Sequence, residues 1–569
     1  MSVSILGLSC YFHDSSVALV VDGEIVFAVS EERLSRKKHD SGFPTLATGL
    51  LLGQIDASIH DISEIAFYED PHKKYHRMVR SILMEWPNSW DAFRNFLPLY
   101  MQRKANLLPE LRATLGYKNP MTVRDHHRAH AASSFFTSPF ERALVITVDG
   151  VGEMDTASVF LGEGNKLRKV KSVEYPHSLG LFYSVFTDYL GFEVNEGEYK
   201  VMGLAPYGIP SMKDKIVGPV LHLNEDGSFG LNLKYFSFVS ANWHYRDALI
   251  EHLGMPPRAP GAALNQEHYD LAASVQAALE DALLGMFGAL QKEFGISDFC
   301  YAGGVALNCT ANARLVRELG IRLHIHPAAG DAGGALGAAL DAYVPHVAKG
   351  ELYRPHFTPY LGCAYSETII ELSLKYGDVV YERIDDVADE LAEAMADGKV
   401  VAIVHGRDEW GPRALGGRSI LASPAVPGMK DILNSKIKFR EEFRPFAPVI
   451  MEEHYGEYFE TLGMDDSPYM LFTHQVHKPE AIPAVTHDDN TSRVQTVNRE
   501  QNAYLYAILE AFKRRTGLPV LINTSFNLRG EPIVSSPSDA LKTFRNSGID
   551  VLALENYIVR RADQEWADS

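Results

Sequence analysis

Twice in its first third the chain carries an apolar, β-branched run that stops at a short acidic turn and resumes as a second apolar run. The first copy is SILGLSCYFHDSSVALVVDGEIVFAVSEERLSR, in which residues 5–10, 17–21 and 25–29 read as strands. Asp22-Gly23 between the last two is a hairpin signal, because both central positions of a tight β-turn of this kind need left-handed backbone. The second copy, ALVITVDGVGEMDTASVFLGEG at 143–164, ends one strand at Asp149-Gly150 and begins the next at 157–161 after a polar loop. A unit that recurs in this way predicts a duplicated sheet.

At 569 residues the chain exceeds what one core fills, so two large domains are expected. The pattern lapses at VPHVAKGELYRPHFTPYL, 345–362, where Pro345, Pro355 and Pro359 punctuate it. This sets the expected domains at 1–352 and 353–569. The second half alternates strands (400–404, 520–522, 551–554) with helices (386–396, 501–515), an α/β arrangement. Helices are also expected over 267–294 and from Asp331 onward. The aromatic stretch 71–115, with Trp86, Trp90, Phe93, Phe96 and Tyr100, reads as a helical insert with a packing face.

No run approaches the ~18 apolar residues of a membrane span, and MSVSILGLSC is short and uncharged for a secretory signal. The expected location is the cytoplasm, with no membrane partner. Cys10, Cys300, Cys309 and Cys363 form no CxxC pair, so neither a disulfide framework nor a thiolate zinc site is indicated. A net charge of −19 repels a polyphosphate, so nucleic acid is not expected as a partner.

The sequence DHHRAH at 125–130 opens a helix with Asp125 in the N-cap position. His126 and His130, spaced i, i+4, share a face and can reach one metal ion. Alone, that spacing more often marks structural or surface histidines than a metal site. Two carboxylates change the weighing: Asp149 ends a buried strand, where a lone charge is costly, and Asp331 stands at a glycine-rich helix start. Two imidazoles and two carboxylates with open positions suit a borderline divalent ion such as iron(II), manganese or zinc. A helix cap or a magnesium–phosphate contact stays open for Asp331.

YAGGVALN, 301–308, places paired glycines between a strand and a helix, and Gly330 to Gly337 supplies a second such turn. Glycine lets backbone N–H groups approach phosphate closely. With Asp149-Gly150 these turns resemble the duplicated fold shared by sugar kinases, actin and heat-shock ATPases, in which nucleotide lies between related lobes. In the turn Phe12-His13-Asp14-Ser15-Ser16, His13 can act as base for a hydroxyl, oriented by a carboxylate. The turn can equally be a capped one in which Asp14 bonds the backbone. The densest signal is cationic: Arg407, Arg413, Arg418, Lys436, Lys438, Arg440 and Arg444, threaded with Gly, Pro and Phe in an acidic chain. That setting favours a buried anion site over a solvated face. The strand ending in Asn523, Ser525 and Asn527, with Arg529 beyond it, adds amides and hydroxyls where α/β ligands bind.

The motifs FHDSSVALVVDG, SEERLSRKKH, DHHRAHAASSFF, EGEYKVMGLAPYG, YAGGVALN, GDAGGALGAA, GPRALGGRSIL, FREEFRPFAP, SRVQTV and LINTSFNLRGEPIV follow in order from residue 12 to 534. Together they resemble the O-carbamoyltransferase family of nodulation factor, cephamycin and tobramycin biosynthesis. The resemblance implies an actin/hexokinase-like (ASKHA) N-terminal domain, like the transferase of tRNA threonylcarbamoylation, and a YrdC-like α/β C-terminal domain. It implies that carbamoyl phosphate and Mg-ATP give carbamoyl adenylate, whose carbamoyl group passes to a hydroxylated small-molecule acceptor. It implies iron on His126, His130, Asp149 and Asp331, and His13 with Asp14 as acid–base pair. Arg413, Lys438, Arg440, Arg444, Asn523, Ser525 and Arg529 would hold carbamoyl phosphate and ATP, with Lys436 as the competing lysine and Arg418 in the same run. Lys200, Gly203, Gly303, Gly304 and Asn308 would frame the adenylate. Gly417 departs from the asparagine common in GPRALGGRS. The acceptor and the choice of monomer or homodimer stay open. The weighed alternatives are a tRNA threonylcarbamoylation enzyme and a non-enzymatic, nucleotide-gated actin-like protein.

Overall fold

The computed structural model describes residues 2–86, 89–90, 93–94, 107–238, 244–438 and 443–565, the side chain of Lys436 excepted. Two compact units emerge. The first comprises Met1–Tyr11, Ser16–Val26 and Thr48–Phe357; the second comprises Phe12–Ser15, Phe27–Ala47 and Thr358–Ser569.

Two five-stranded sheets organise the first unit. In one, β1 (Ser4–Ser9), β2 (Ser16–Val21), β3 (Glu24–Ser30), β4 (Glu64–Phe67) and β5 (Met121–Val123) take the order β3-β2-β1-β4-β5. The central strand β1 pairs antiparallel with β2 and parallel with β4, which in turn runs parallel to β5. Asp22 (φ 49°) and Gly23 (φ 92°) turn β2 into β3, as the hairpin signal requires.

The second sheet uses β6 (Arg142–Val148), β7 (Asp155–Glu163) and β8 (Lys166–Glu174). After a separate small hairpin, β9 (Leu221–Leu223) with β10 (Phe229–Leu231), it takes up β11 (Asp298–Ala302) and β12 (Arg322–Ile325). Its order is β12-β11-β6-β7-β8, with β6 antiparallel to β7 and parallel to β11, and β11 parallel to β12. From the central strand outward both sheets have one topology: hairpin neighbours on one side, two parallel crossover strands on the other. The duplication read from the two strand–turn–strand runs is therefore present in three dimensions.

Helices close the crossovers. Gln266–Phe294 is capped by the Asn265 side chain, which accepts from His268 N–H at 3.1 Å, and stops at Gly295 in the left-handed region. Its buried stripe runs Leu271, Val275, Leu279, Leu283, Phe287, a helical period turned to the core. Ala332–Tyr343 packs with almost no side chain between it and its neighbours. A Cβ on Gly337 would lie 1.8 Å from the Ala129 carbonyl oxygen, so only glycine fits there. That contact seats the helix His126–Phe136 on the helix Ala332–Tyr343, and Arg128 Nε latches the pair by donating to both Asp341 oxygens at 3.0 Å.

The second unit is built on an eight-stranded mixed sheet. Its strands are β13 (Glu382–Arg383), β14 (Val401–Val404), β15 (Arg418–Ala422), β16 (Ala447–Met451), β19 (Gln495–Val497), β20 (Val520–Ser525), β21 (Val551–Leu554) and β22 (Tyr557–Arg560); β17 (Thr473–Gln475) and β18 (Thr491–Arg493) pair separately. The order is β13-β22-β21-β14-β15-β20-β16-β19. Val401, Ile403, Leu421, Val449, Leu521, Ile522 and Leu552 are fully buried in its core. The N-terminal segments are tied into this unit by backbone and arginine contacts. Ala28 N–H donates to Leu361 O at 3.0 Å, Arg33 Nη2 to Gly411 O at 3.0 Å, and Arg36 to Ile533 O and Pro532 O at 2.6 and 2.9 Å. Both units are mixed α/β. Among the described residues no helix is long and apolar enough to cross a membrane. Phe96 and Tyr100 lie outside the described residues.

Candidate active site

His126 and His130 leave the buried face of the helix His126–Phe136 one turn apart. Their Nε2 atoms are 3.1 Å from each other and 3.3 and 3.0 Å from Asp149 Oδ2. Asp331 Oδ1 lies 3.6 and 3.4 Å from the same two nitrogens. Asp149 arrives from the end of β6 with its other oxygen accepting from Gly150 N–H at 2.7 Å, and Asp331 arrives from the start of the helix Ala332–Tyr343. The sequence-predicted four thus meet at one point. His127, the third histidine of the run, faces the other way, onto Ser158 Oγ at 2.8 Å, where burial holds its pKa well below the ordinary value.

The donor set fits a divalent ion. Ligands bound at about 2.1 Å stand roughly 3.0–3.4 Å apart in tetrahedral or octahedral arrangements, and the observed separations cover that range. Burial opposes a charge on His130, but the hydrogen bonds and charges of Asp149 and Asp331 prevail and push its pKa up to about 9. The same contacts outweigh burial at Asp149 and hold its carboxyl well below the carboxylate range. A cation is thus favoured at the point where these atoms converge. The buried Nδ1 atoms of His126 and His130 have no hydrogen-bond partner among the described residues, so the rings are held by packing and by what their Nε2 atoms face.

Asp125 occupies the N-cap position, yet its side chain makes no capping bond and pairs with Lys73 at 2.5 Å instead. The His126 N–H is satisfied by Glu153, at 2.9 Å, a carboxylate from the β6–β7 loop. The expected cap is therefore replaced by a tertiary one, because Glu153 reaches the helix end from the sheet.

The Gly303-Gly304 turn abuts the same place. A Cβ on Gly303 would lie 2.2 Å from Val148 O, and one on Gly304 would lie 3.1 Å from Asp149 Oδ1. Gly303 has φ 92° and leaves the backbone of the turn bare beside Asp149. Asn308 differs from expectation: its Oδ1 caps the next helix through Ala311 N–H at 3.1 Å, and its amide interlocks with Gln276 at 2.9 and 3.0 Å. It fixes the turn instead of presenting its side chain. Lys200 and Gly203 share the helix Glu198–Leu204, with Lys200 Nζ 5.5 Å from the Phe192 ring centre.

In the second unit, His13 Nδ1 lies 2.9 Å from Asp14 Oδ2. Asp14 sits in the left-handed region (φ 54°), and its carboxylate engages histidines, not the backbone of a capped turn. The two hydrogen bonds outweigh burial and keep its pKa well below the ordinary carboxylate value.

The cationic run does not act as one patch. Arg418 is fully buried, and its guanidinium donates to the carbonyls of Ser535, His405, Gly417, Cys363 and Gly406. With its donors on backbone oxygens it is a strut for the loops around β15, which corrects its assignment to anion binding. Lys438 is also buried, but it gathers on the end of β20. Its Nζ lies within hydrogen-bond reach of the Ser525 carbonyl, Ser525 Oγ at 3.1 Å, the Asn527 carbonyl at 3.2 Å and Asn527 Oδ1 at 2.7 Å. Asn523 lies buried on the same strand and donates to Gln495 Oε1 at 2.6 Å and Ala414 O at 3.2 Å. Arg413 and Arg444 are half-buried, Arg529 is exposed, and Arg440 lies outside the described residues, as does the side chain of Lys436.

Residues 4–340 match the Carbamoyltransferase N-terminus family and residues 392–561 the Carbamoyltransferase C-terminus family. The chain belongs to the carbamoyltransferase family. An uncharacterized protein of Synechocystis is 41% identical over 99% of both chains. The nodulation protein NolNO of Sinorhizobium fredii is 35% identical over 98% of this chain and 81% of its own. A 3'-hydroxymethylcephem-O-carbamoyltransferase of Amycolatopsis lactamdurans is 28% identical over 97% and 98%. The carbamoyltransferase is a transferase enzyme, which removes the non-enzymatic alternative.

Sequence reasoning alone did not single out several residues that shape these clusters. Asn527 is legible only as part of a polar strand end, Gln495 lies in the SRVQTV motif, and His39 ends the SEERLSRKKH motif, its one local signal. Glu153 and Gly337 carry no local signal for the contacts they make in the carbamoyltransferase.

Proposed function

We propose that this carbamoyltransferase activates its carbamoyl group with ATP and transfers it to a hydroxyl of a small molecule. The reading assigns activation to residues 353–569, as a YrdC-like domain, and transfer to residues 1–352, as an actin/hexokinase-like one; the shared topology of the two N-terminal sheets supports the latter. The observation that carries the proposal is the convergence of His126, His130, Asp149 and Asp331 on one point, beside a bare glycine turn, in a chain of this family.

In the first step, water hydrolyses carbamoyl phosphate to carbamate and inorganic phosphate, and a carbamate oxygen then attacks the α-phosphorus of ATP as pyrophosphate leaves. Lys438, Arg413, Arg444 and Arg529 offset the negative charge gathered in that transition state. Ser525 and Asn527 hold Lys438 at the end of β20. In the second step, the acceptor hydroxyl attacks the carbamoyl carbon and AMP departs. His13 takes the hydroxyl proton while Asp14 holds the ring. His126, His130, Asp149 and Asp331 would hold iron(II) or another divalent ion, which when bound supplies positive charge for the adenylate phosphate. The backbone of Gly303-Gly304, with Lys200 and Gly203, would frame the nucleotide.

The nodulation and cephem relatives support a natural-product acceptor over tRNA, as does the net charge of −19. The test is pyrophosphate release from ATP and carbamoyl phosphate, followed by a screen of hydroxylated metabolites, a 3-hydroxymethyl cephem among them, with labelled carbamoyl phosphate. Pyrophosphate release indifferent to carbamoyl phosphate would reject the activation step. Carbamoylation through tRNA and threonine alone would reject the acceptor class.

A further inference from the structure

We infer that His39 is a positioning residue that fixes the Asp14 carboxylate and, through it, the tautomer of His13; the consequence for catalysis rests on the base role proposed for His13. Asp14 lies between two imidazoles. His39 Nδ1 is 2.7 Å from Oδ1 and His13 Nδ1 is 2.9 Å from Oδ2. An ionised carboxylate only accepts, so both Nδ1 atoms carry the proton. With Nδ1 of His13 protonated, Nε2 is the basic nitrogen of its ring, and that is the atom a hydroxyl proton would reach.

His39 is itself held, which lets it act as a fixed support. Its N–H donates to Glu32 Oε2 at 2.9 Å, and it sits in the left-handed region at φ 51°. The loop around it clasps the 12–15 turn at two more points: Ser15 N–H donates to Asp40 O at 2.9 Å and Ser15 Oγ to Gly42 O at 2.6 Å. Asp14, at φ 54°, is thus placed by contacts from a segment some 25 residues downstream in sequence. Without the second imidazole, one carboxylate oxygen loses its partner and the carboxylate is free to rotate about its side-chain torsion.

The test reads the His13 ring directly. Histidine-labelled full-length protein gives long-range proton–nitrogen spectra in which the His13 signal is identified by its loss in His13→Asn. In the native protein His13 should show one neutral tautomer, with the proton on Nδ1. In His39→Leu that signature should give way to a mixture of tautomers, and hydroxyl carbamoylation should fall about 10- to 100-fold in kcat, the range for losing an orienting partner, with carbamoyl phosphate-dependent pyrophosphate release unchanged. His39→Asn places an amide donor where Nδ1 stood, tolerates the left-handed backbone, and should restore the single tautomer. His39→Gln keeps the volume but displaces the donor, and should behave as His39→Leu even if the leucine variant does not fold. A native tautomer signature in His39→Gln overturns the inference. A changed signature together with wild-type carbamoylation by His13→Asn upholds the His39–Asp14–His13 coupling and rejects the base reading instead.

Discussion

Asp14 and Asp149 show how neighbouring groups, not residue type, set what a carboxylate does. Each follows the central strand of its sheet by a few residues, and each is held charged by two imidazoles against the effect of burial. Asp149 shares its imidazoles with Asp331, in a group that could hold a metal ion; Asp14 has its two imidazoles to itself, with Glu32 beside it bound to the His39 N–H, and its inferred role is an orienting one. Two substitutions separate the proposed half-reactions. Lys438→Ala should lower carbamoyl phosphate-dependent pyrophosphate release by about 100-fold or more, because in the proposed activation step the lost charge would face a polyphosphate transition state. His13→Asn should leave that release intact and lower hydroxyl carbamoylation by about 100- to 10,000-fold, the range of general base catalysis. Parallel pyrophosphate and radiolabel assays on the two variants check both. A third residue reports on stability. His326 is fully buried, and burial pushes its pKa down to about 3. The unfolded chain takes that proton below about 6.5. Stability is therefore complete above pH 6.5 and falls as pH drops toward 3, by about 2 kcal/mol from this residue at pH 5. Urea unfolding at pH 7 and pH 5 should show a loss that His326→Gln reduces by about that amount, the remainder including the share of His324, whose pKa desolvation pushes down to about 4.

At the scale of elements, the proposed metal-ligand group depends on two helices approaching without side chains between them. Gly337 meets the carbonyl of Ala129, which lies between His126 and His130 in the chain. Gly337→Val would force the helices apart, destabilising the fold by about 1–3 kcal/mol or more and separating Asp331 from the two histidines. Metal analysis of the purified variant should show substoichiometric metal where the native protein retains it, and His126→Ala should do the same without the packing penalty. The strand ends were legible in the sequence because period-two apolar runs and Asp-Gly turns are local signals. The caps were less so. Asp125 has the right residue type in the right position, and the helix start is still served by Glu153, because a carboxylate brought by the sheet competes with the local one. The arginine run shows the same limit: Arg418 and Lys438 look alike in sequence, and only their surroundings separate a guanidinium on five carbonyls from an ammonium shared between the carbonyls and side chains of Ser525 and Asn527.

At the scale of the whole molecule, the chain is interleaved. The second unit takes Phe12–Ser15 and Phe27–Ala47 from the N-terminal end. Through them Arg33 and Arg36 donate to carbonyls near residues 411 and 532–533, and Ala28 pairs with Leu361. A fragment comprising 353–569 lacks these segments and should be protease-sensitive, with a broadened or absent thermal transition, while the intact chain resists. Co-expression with residues 1–352 should recover the resistance. No reading along the chain anticipates this, since the Pro-punctuated stretch at 345–362 is the only break that composition displays.

By itself the sequence determined the two repeated strand–turn–strand units, the helices that follow them, and the residue types able to hold a cation or a phosphate. Those are local properties: periodicity, turn chemistry and side-chain donors are written within a few residues. The tertiary structure decided which of those side chains meet. His126 and Asp331 are distant in sequence, and Asp14 and His39 belong to different turns, so their pairing follows from how strands and glycine-lined helices pack. The same packing assigned each buried charge its partners, and the energy of a charge in a low-dielectric interior depends on those partners far more than on its neighbours along the chain.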